Sequence, residues 1–342
     1  MNARTLLFAI PLVFSAGTLA AQEITTIKVL TPLPRHTAWY PLIAGEELGY
    51  FKDEGIEVEL IPGGDLPATA FLDNGNADVA SLDPTEVINA HQRGLDFDVV
   101  YEVMHGAIEG IFVPAASDAE SLADLKGTTI GIVGESDRPL LISALGHAGL
   151  TEGDVTVAVL GESAPLLATS LQNGRVSGVV GAVSDLVAIR SQGVEVKNLL
   201  PPEMSEAPAN SYAMRSDKIG EMEELMTGFL RAWAKGAYAG QANPEVVAAM
   251  TKKVAPENWV REDLGMLFLE NAVDLHSPDG EAFGALRPEI WTGVQEEMVA
   301  SGQLDKVIPA SELLDDRFIA PANDFDKAEV EADLKAWAEQ NQ

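Results

Sequence analysis

Residues 40–61 read YPLIAGEELGYFKDEGIEVELI. Residues 40–48 form a helix-length block, and Gly49 suits its end because glycine enters the left-handed region without a Cβ penalty. A second turn follows, and residues 56–61 then read as a short strand rich in β-branched and apolar side chains. The stretch is one helix followed by one strand, and the chain around it repeats that alternation.

Upstream, 27–30 reads as a strand. Downstream, Pro62-Gly63-Gly64 closes the strand at 56–61, and Asp65 is placed to cap a helix with Pro67 in its first turn. Further strands are expected over 78–82, 97–104 and 110–114, with a helix over 84–93 ended by Gly94. The pattern then restarts. A short helix at 121–126 leads to strands at 128–133, 155–160, 178–182 and 196–199, with helices over 137–148, 164–173 and 184–192 between them. Near-continuous apolar strands alternating with helices predict α/β units with parallel-rich sheets covered on both faces. A strand at 211–214 is expected to return to the first unit. Beyond it helices dominate, over 219–239, 244–254, 261–272, 283–301 and 326–340.

The expected organisation is therefore a leader at 1–21, a first lobe from 22–114 together with 205–342, and a second lobe from 115–204. Residues 1–21 carry one charge, Arg4, then an apolar run and the small residues Ser15 to Ala21. That is the layout of a cleaved secretory signal, with Ala20 or Ala21 before the cut. The run is shorter than the ~20 apolar residues that span a bilayer. Export to a periplasm is expected. The sequence contains no cysteine, which excludes disulfides, thiolate metal sites and a lipidated leader.

The 342 residues carry a net charge of −31. Such a charge repels nucleic acid and anionic lipid, so neither is an expected partner. No catalytic constellation is present. The five histidines include no pair at metal-ligand spacing, and no nucleophile elbow, phosphate loop or dinucleotide fingerprint occurs. No enzyme activity, metal or cofactor is expected.

Two lobes joined by two crossings enclose a cleft, and ligands of open α/β sheets bind beyond the carboxyl ends of the strands. The first such loop carries Arg35, His36, Trp39 and Tyr40. An arginine forks a carboxylate or sulfonate, and the aromatics stack on a flat ligand. Two second-lobe strands end alike, in Val133-Gly134-Glu135-Ser136 and Leu160-Gly161-Glu162-Ser163. Each precedes a helix, whose free N–H groups suit an oxygen ligand. Arg138 follows the first of these. Gly64 and Asp65, Ser81 and Asp83, Ser184, and Asn210 complete the candidate ligand-binding set by the same geometry.

Residues 44–60, AGEELGYFKDEGIEVEL, together with 72–80, LDNGNADVA, and 121–131, SLADLKGTTIG, resemble segments of one family. It comprises the substrate-binding proteins of nitrate, sulfonate and taurine importers and the binders of thiamine pyrimidine precursors. The resemblance implies a periplasmic-binding-protein fold of type II topology, closure on a small solute, delivery to the permease of an ABC importer, and a monomer. Members bind anions or aminopyrimidines. Arg35 and the serines favour a small organic anion, a sulfonate or carboxylate. The acids Asp83, Glu135 and Asp137 favour the alternative, a flat nitrogen heterocycle. An alternative of another class is a thiamine-pyrimidine synthase, which resembles the family but depends on a cysteine-rich motif that this chain lacks.

Overall fold

The computed structural model describes residues 24–32, 35–61, 67–277, 280–300 and 302–341. The expected leader and the candidates Gly64 and Asp65 lie outside them. Among the described residues, ten strands form two five-stranded sheets. β1 (Thr25–Leu30), β2 (Ile56–Leu60), β3 (Val79–Leu82) and β4 (Phe97–Met104) belong to the first sheet. β5 (Glu109–Pro114), β6 (Thr129–Ile132), β7 (Thr156–Val159), β8 (Gly178–Ala182) and β9 (Val196–Asn198) form the second, and β10 (Asn210–Arg215) returns to the first. The strand orders are β2-β1-β3-β10-β4 and β7-β6-β8-β5-β9.

The two orders are the same pattern. In each sheet four strands run the same way, and the inserted one, fourth in the order, runs antiparallel to both neighbours. The inserted strand is the one that has just crossed from the other lobe. The sheets are parallel-rich as expected, with one antiparallel strand each because a crossing strand enters its sheet from the far side. One expectation is corrected. The strand Glu109–Pro114, expected in the first lobe, pairs with β8 and β9 in the second.

Helices cover both faces. They are α1 (Tyr40–Glu47), α2 (Tyr50–Asp53), α3 (Ala68–Asp73) and α4 (Pro84–Gln92) in the first unit. The second unit contains α5 (Arg138–His147), α6 (Ala164–Gln172) and α7 (Val183–Arg190), and α8 (Pro202–Ser205) lies on the return path. The C-terminal part adds α9 (Ile219–Ala242), α10 (Pro244–Val254), α11 (Glu262–His276), α12 (Pro288–Ala300), α13 (Ile319–Ala322) and α14 (Lys327–Gln340). Strand alternation divides the first lobe's core. Ile27, Val29, Tyr212 and Met214 pack on the side of α1 and α9, whereas Leu30 and Ala213 pack on the other. Both faces being covered explains why β3 is buried throughout.

Glycines set how closely α1 can lie on α9. A Cβ at Gly236 would fall 2.1 Å from the Pro41 carbonyl oxygen, and one at Gly240 would fall 2.4 Å from the Tyr40 ring. The C-terminal helices are held to β4 by a buried acid. Glu102 is fully buried and accepts from the Arg287 backbone N–H at 3.0 Å, Arg287 Nε at 2.8 Å and Trp291 Nε1 at 2.9 Å. This strap also displaces the helix expected over 283–301. Gly284 takes φ +76° and accepts from the Glu102 N–H, so helix α12 starts only at Pro288.

Candidate functional site

The site is built on the turn that follows β1. Residues Thr37–Trp39 form one 3-10 turn capped by His36, whose Nδ1 accepts the Ala38 N–H at 3.1 Å. An accepting Nδ1 puts the proton of the neutral ring on Nε2. Burial pushes the His36 pKa below the ordinary histidine value, against an opposing pull from Glu257. The ring is therefore uncharged at neutral pH.

Three C-terminal side chains fix this turn. Asn258 Oδ1 accepts the Thr37 N–H at 2.9 Å and the Thr37 hydroxyl at 3.2 Å. Phe268 meets the His36 ring edge-on at 5.0 Å. His276 Nε2 lies 2.7 Å from the Ala38 carbonyl oxygen, which can only accept, so His276 donates. Burial pushes the His276 pKa down to about 4, which keeps that ring neutral as well.

Between the lobes lies a cavity of about 350 Å³. Pro32, His36, Ala38 and Trp39 supply the wall after β1. Met104 and Ile108 supply it from the first crossing, and Asn210 from the second. Ala182, Val183 and Ser184 supply it after β8, and Phe268, Ala272 and Leu275 close it from α11. None of the described residues lining it carries a formal charge at neutral pH. The polar groups are the His36 ring, the Asn210 amide and the Ser184 hydroxyl. An apolar cavity with a few convergent polar groups suits a small, flat, uncharged solute. A larger cavity of about 700 Å³ lies by the crossings, but Glu206, Asp274, Glu281, Arg287 and Glu289 make its lining strongly polar.

The cavity brings together His36, Trp39, Ser184 and Asn210 from the expected set, although Trp39 is 2 % exposed and packs edge-on against Trp233 and His276 in the core. Other candidates stand elsewhere. Arg35 pairs with Glu46 and is half exposed. Arg138 pairs with both Glu135 and Glu152. Neither guanidinium lines the cavity, because neighbouring carboxylates have taken its donors. Tyr40 is a core residue whose hydroxyl donates to the Ala237 carbonyl at 3.0 Å. Asp83 caps α4, accepting from the Glu86 N–H at 2.9 Å. The Gly134 N–H donates to Asp137 Oδ2 at 2.7 Å, and Ser136 and Ser163 are exposed. Ser81 is buried, with no partner for its hydroxyl among the described residues. Sequence reasoning missed Met104, Ile108 and the α11 wall. Phe268, Ala272 and Leu275 recur at helical spacing, a stripe that reads equally well as ordinary core.

The NMT1/THI5-like family matches residues 36–247. The riboflavin-binding protein RibY of Chloroflexus aurantiacus is 27% identical over 314 residues, covering 87% of this chain and 86% of its own. The formylaminopyrimidine-binding protein of Halalkalibacterium halodurans is 25% identical over 329 residues, covering 90% and 96%. Among solved structures, the periplasmic aliphatic sulphonate binding protein SsuA of Escherichia coli superposes with a TM-score of 0.59 at 16% identity, covering 84% of this chain and 91% of its own. The fold is thus that of the periplasmic binding proteins.

Proposed function

The chain belongs to the NMT1/THI5-like family, and on that premise we propose that it is an exported solute receptor. Its cleft captures a flat, uncharged nitrogen heterocycle and presents it to the permease of an ABC importer. The observation that carries this reading is the cavity itself, walled by both lobes and α11, aromatic on one side, and without a charged side chain among its described lining.

The chemistry selects the heterocycle over the anion. An anion buried in such a cavity would lose its hydration with no guanidinium or ammonium to replace it, which is costly. His36 Nε2–H offers a donor, the Asn210 amide offers both a donor and an acceptor, and Trp39 offers an aromatic wall. Heteroaromatic rings carry matching acceptors and N–H groups at their edges. The names of RibY and the formylaminopyrimidine-binding protein, relatives that match nearly the whole chain, point the same way. A receptor rather than a synthase is also supported by the lack of cysteine.

Native mass spectrometry of protein purified from its own periplasm should show a bound heterocycle at one per chain. Fluorescence titration with riboflavin and with formylaminopyrimidine should show saturable binding, and Phe268→Ala, which removes a partly exposed lining aromatic, should weaken it by about 30-fold. A copurified sulfonate whose binding is lost in Arg35→Ala would overturn the proposal.

A further inference from the structure

A second chamber of about 230 Å³ stands behind the cleft and shares two wall residues with it, Val183 and Leu275. Successive residues of the same segments line the two spaces. On the first crossing Ile108 lines the cleft, whereas Ala107 and Glu109 line the chamber. On α11 Phe268 and Ala272 line the cleft, whereas Asn271 and Asp274 line the chamber. The two spaces therefore adjoin at Val183 and Leu275.

Their chemistry differs. The cleft lining holds no formal charge among the described residues, whereas the chamber is lined by Glu109, Asp274, Arg190, Asn198 and Asn271 above an apolar floor that includes Phe112 and Leu186. Glu109 is an exposed residue whose carboxyl is pushed up by desolvation and by Asp137 and Asp83, and Asp274 is the second acid of the lining. Arg190 has a buried Nε with no partner among the described residues, and a guanidinium gains from an acceptor. Asn198 Oδ1 already accepts the Ile111 and Leu200 N–H groups at 2.9 and 3.0 Å, which leaves its NH2 as a donor. A space that needs both donors and acceptors is poorly matched by a tail of either charge. Hydroxyl groups donate and accept at once and match all of these groups.

We propose that the ligand is bipartite: a fused heteroaromatic head fills the cleft, and a hydroxylated chain passes Val183 and Leu275 into the chamber. This rests on the heterocycle reading above and deepens it. Size agrees with chemistry. The cleft alone is at the lower end of the ~300–1,000 Å³ typical of ligand pockets. The chamber has room for on the order of seven waters at ~30 Å³ each, a space a short polyol can take over.

The test compares riboflavin with lumiflavin, which has the same three rings but a methyl in place of the ribityl chain. Binding is followed by calorimetry in the full mature protein, in Asn271→Ala and in Arg190→Gln. Riboflavin is expected to bind about ten-fold or more tighter, the worth of two or three net hydrogen bonds. Each variant should weaken riboflavin and leave lumiflavin unchanged, a difference that a general loss of folding would not produce. Equal affinity for the two compounds, or variants that weaken both alike, would overturn the bipartite ligand and leave the heterocycle receptor standing. Binding of neither compound, nor of formylaminopyrimidine, would remove the heterocycle reading and this inference with it.

Discussion

Replacing Gly236 by alanine puts two opposite effects on one atom. Alanine is the better helix former, by about 1 kcal/mol. Its Cβ, however, would sit 2.1 Å from the Pro41 carbonyl oxygen and 2.9 Å from the carbonyl carbon. The obstacle is backbone, so no side-chain rotation relieves it. Helix α1 cannot simply retreat either, because Tyr40 through Gly45 are all buried. Overpacking of this kind costs about 1–3 kcal/mol, and a backbone obstacle belongs at the upper end. The net expectation is a loss of about 2 kcal/mol, read as a lower urea midpoint with an unchanged slope. Ligand affinity should fall as well, because Trp39 directly precedes α1 and moves with it. Gly293, inside α12, is the control: an added Cβ there meets nothing within 4 Å, so Gly293→Ala should stabilise by about 0.5–1 kcal/mol. A Gly236→Ala protein as stable as the parent would refute the close α1–α9 approach, and with it the account of how the binding turn is placed.

Three further outcomes are expected. Glu102→Ala leaves the half-buried Arg287 without its carboxylate and the buried Trp291 Nε1–H without an acceptor, and should cost about 3–5 kcal/mol by denaturant melts, far more than any surface pair. His276 has a folded pKa of about 4 against 6.5 unfolded, so the unfolded chain binds more protons between those values. Stability from this group is full above pH 6.5, falls as the pH drops, and is lower by about 3 kcal/mol at pH 4; His276→Gln, which can still donate to Ala38, should flatten that part of the stability profile. Arg35→Ala and Arg138→Ala remove exposed or half-exposed pairs, and should change stability by no more than about 1 kcal/mol and leave binding of riboflavin unchanged by calorimetry.

The secondary structure was largely legible because caps and periodicity mark it locally. The strands at 97–104 and 178–182 and the helix at 244–254 have the bounds read from sequence. What was not legible depends on contacts distant in sequence. β5 is an apolar run that would suit either sheet, and only its pairing with β8 and β9 decides which. The start of α12 is set by Glu102, some 185 residues earlier. The cavity follows the same division. His36, Trp39, Ser184 and Asn210 follow or open strands, where the fold directs attention, whereas the α11 wall hides in a stripe that also serves as core. The arginines mislead for a compositional reason. With 53 acids against 22 lysines and arginines, a surface arginine is seldom far from a carboxylate, and only the structure places Glu46, Glu135 and Glu152 against Arg35 and Arg138.

The same excess of acid bears on what the cleft can select. A net charge of −31 surrounds the protein with a potential that opposes the approach of small anions and draws cations to the surface. An anion receptor would have to overcome that field with cationic groups inside the cleft, yet the arginines nearest in sequence are neutralised by the surrounding carboxylates. A cation would find the surface attractive but no carboxylate among the described residues lining the cavity. An uncharged heterocycle is indifferent to the field and is sorted only by the cleft, through its aromatic wall, the Nε2–H of a histidine held neutral by burial, and an amide on the second crossing. The charge on the outside and the absence of charge within then act in one direction: the surface keeps the protein soluble and turns anions away, and the interior discriminates by shape and hydrogen-bond pattern. That division also explains why the binding turn is clamped so thoroughly by Asn258, Phe268 and His276. A site that lacks long-range attraction depends on pre-organised short-range contacts, and those weaken sharply with small displacements.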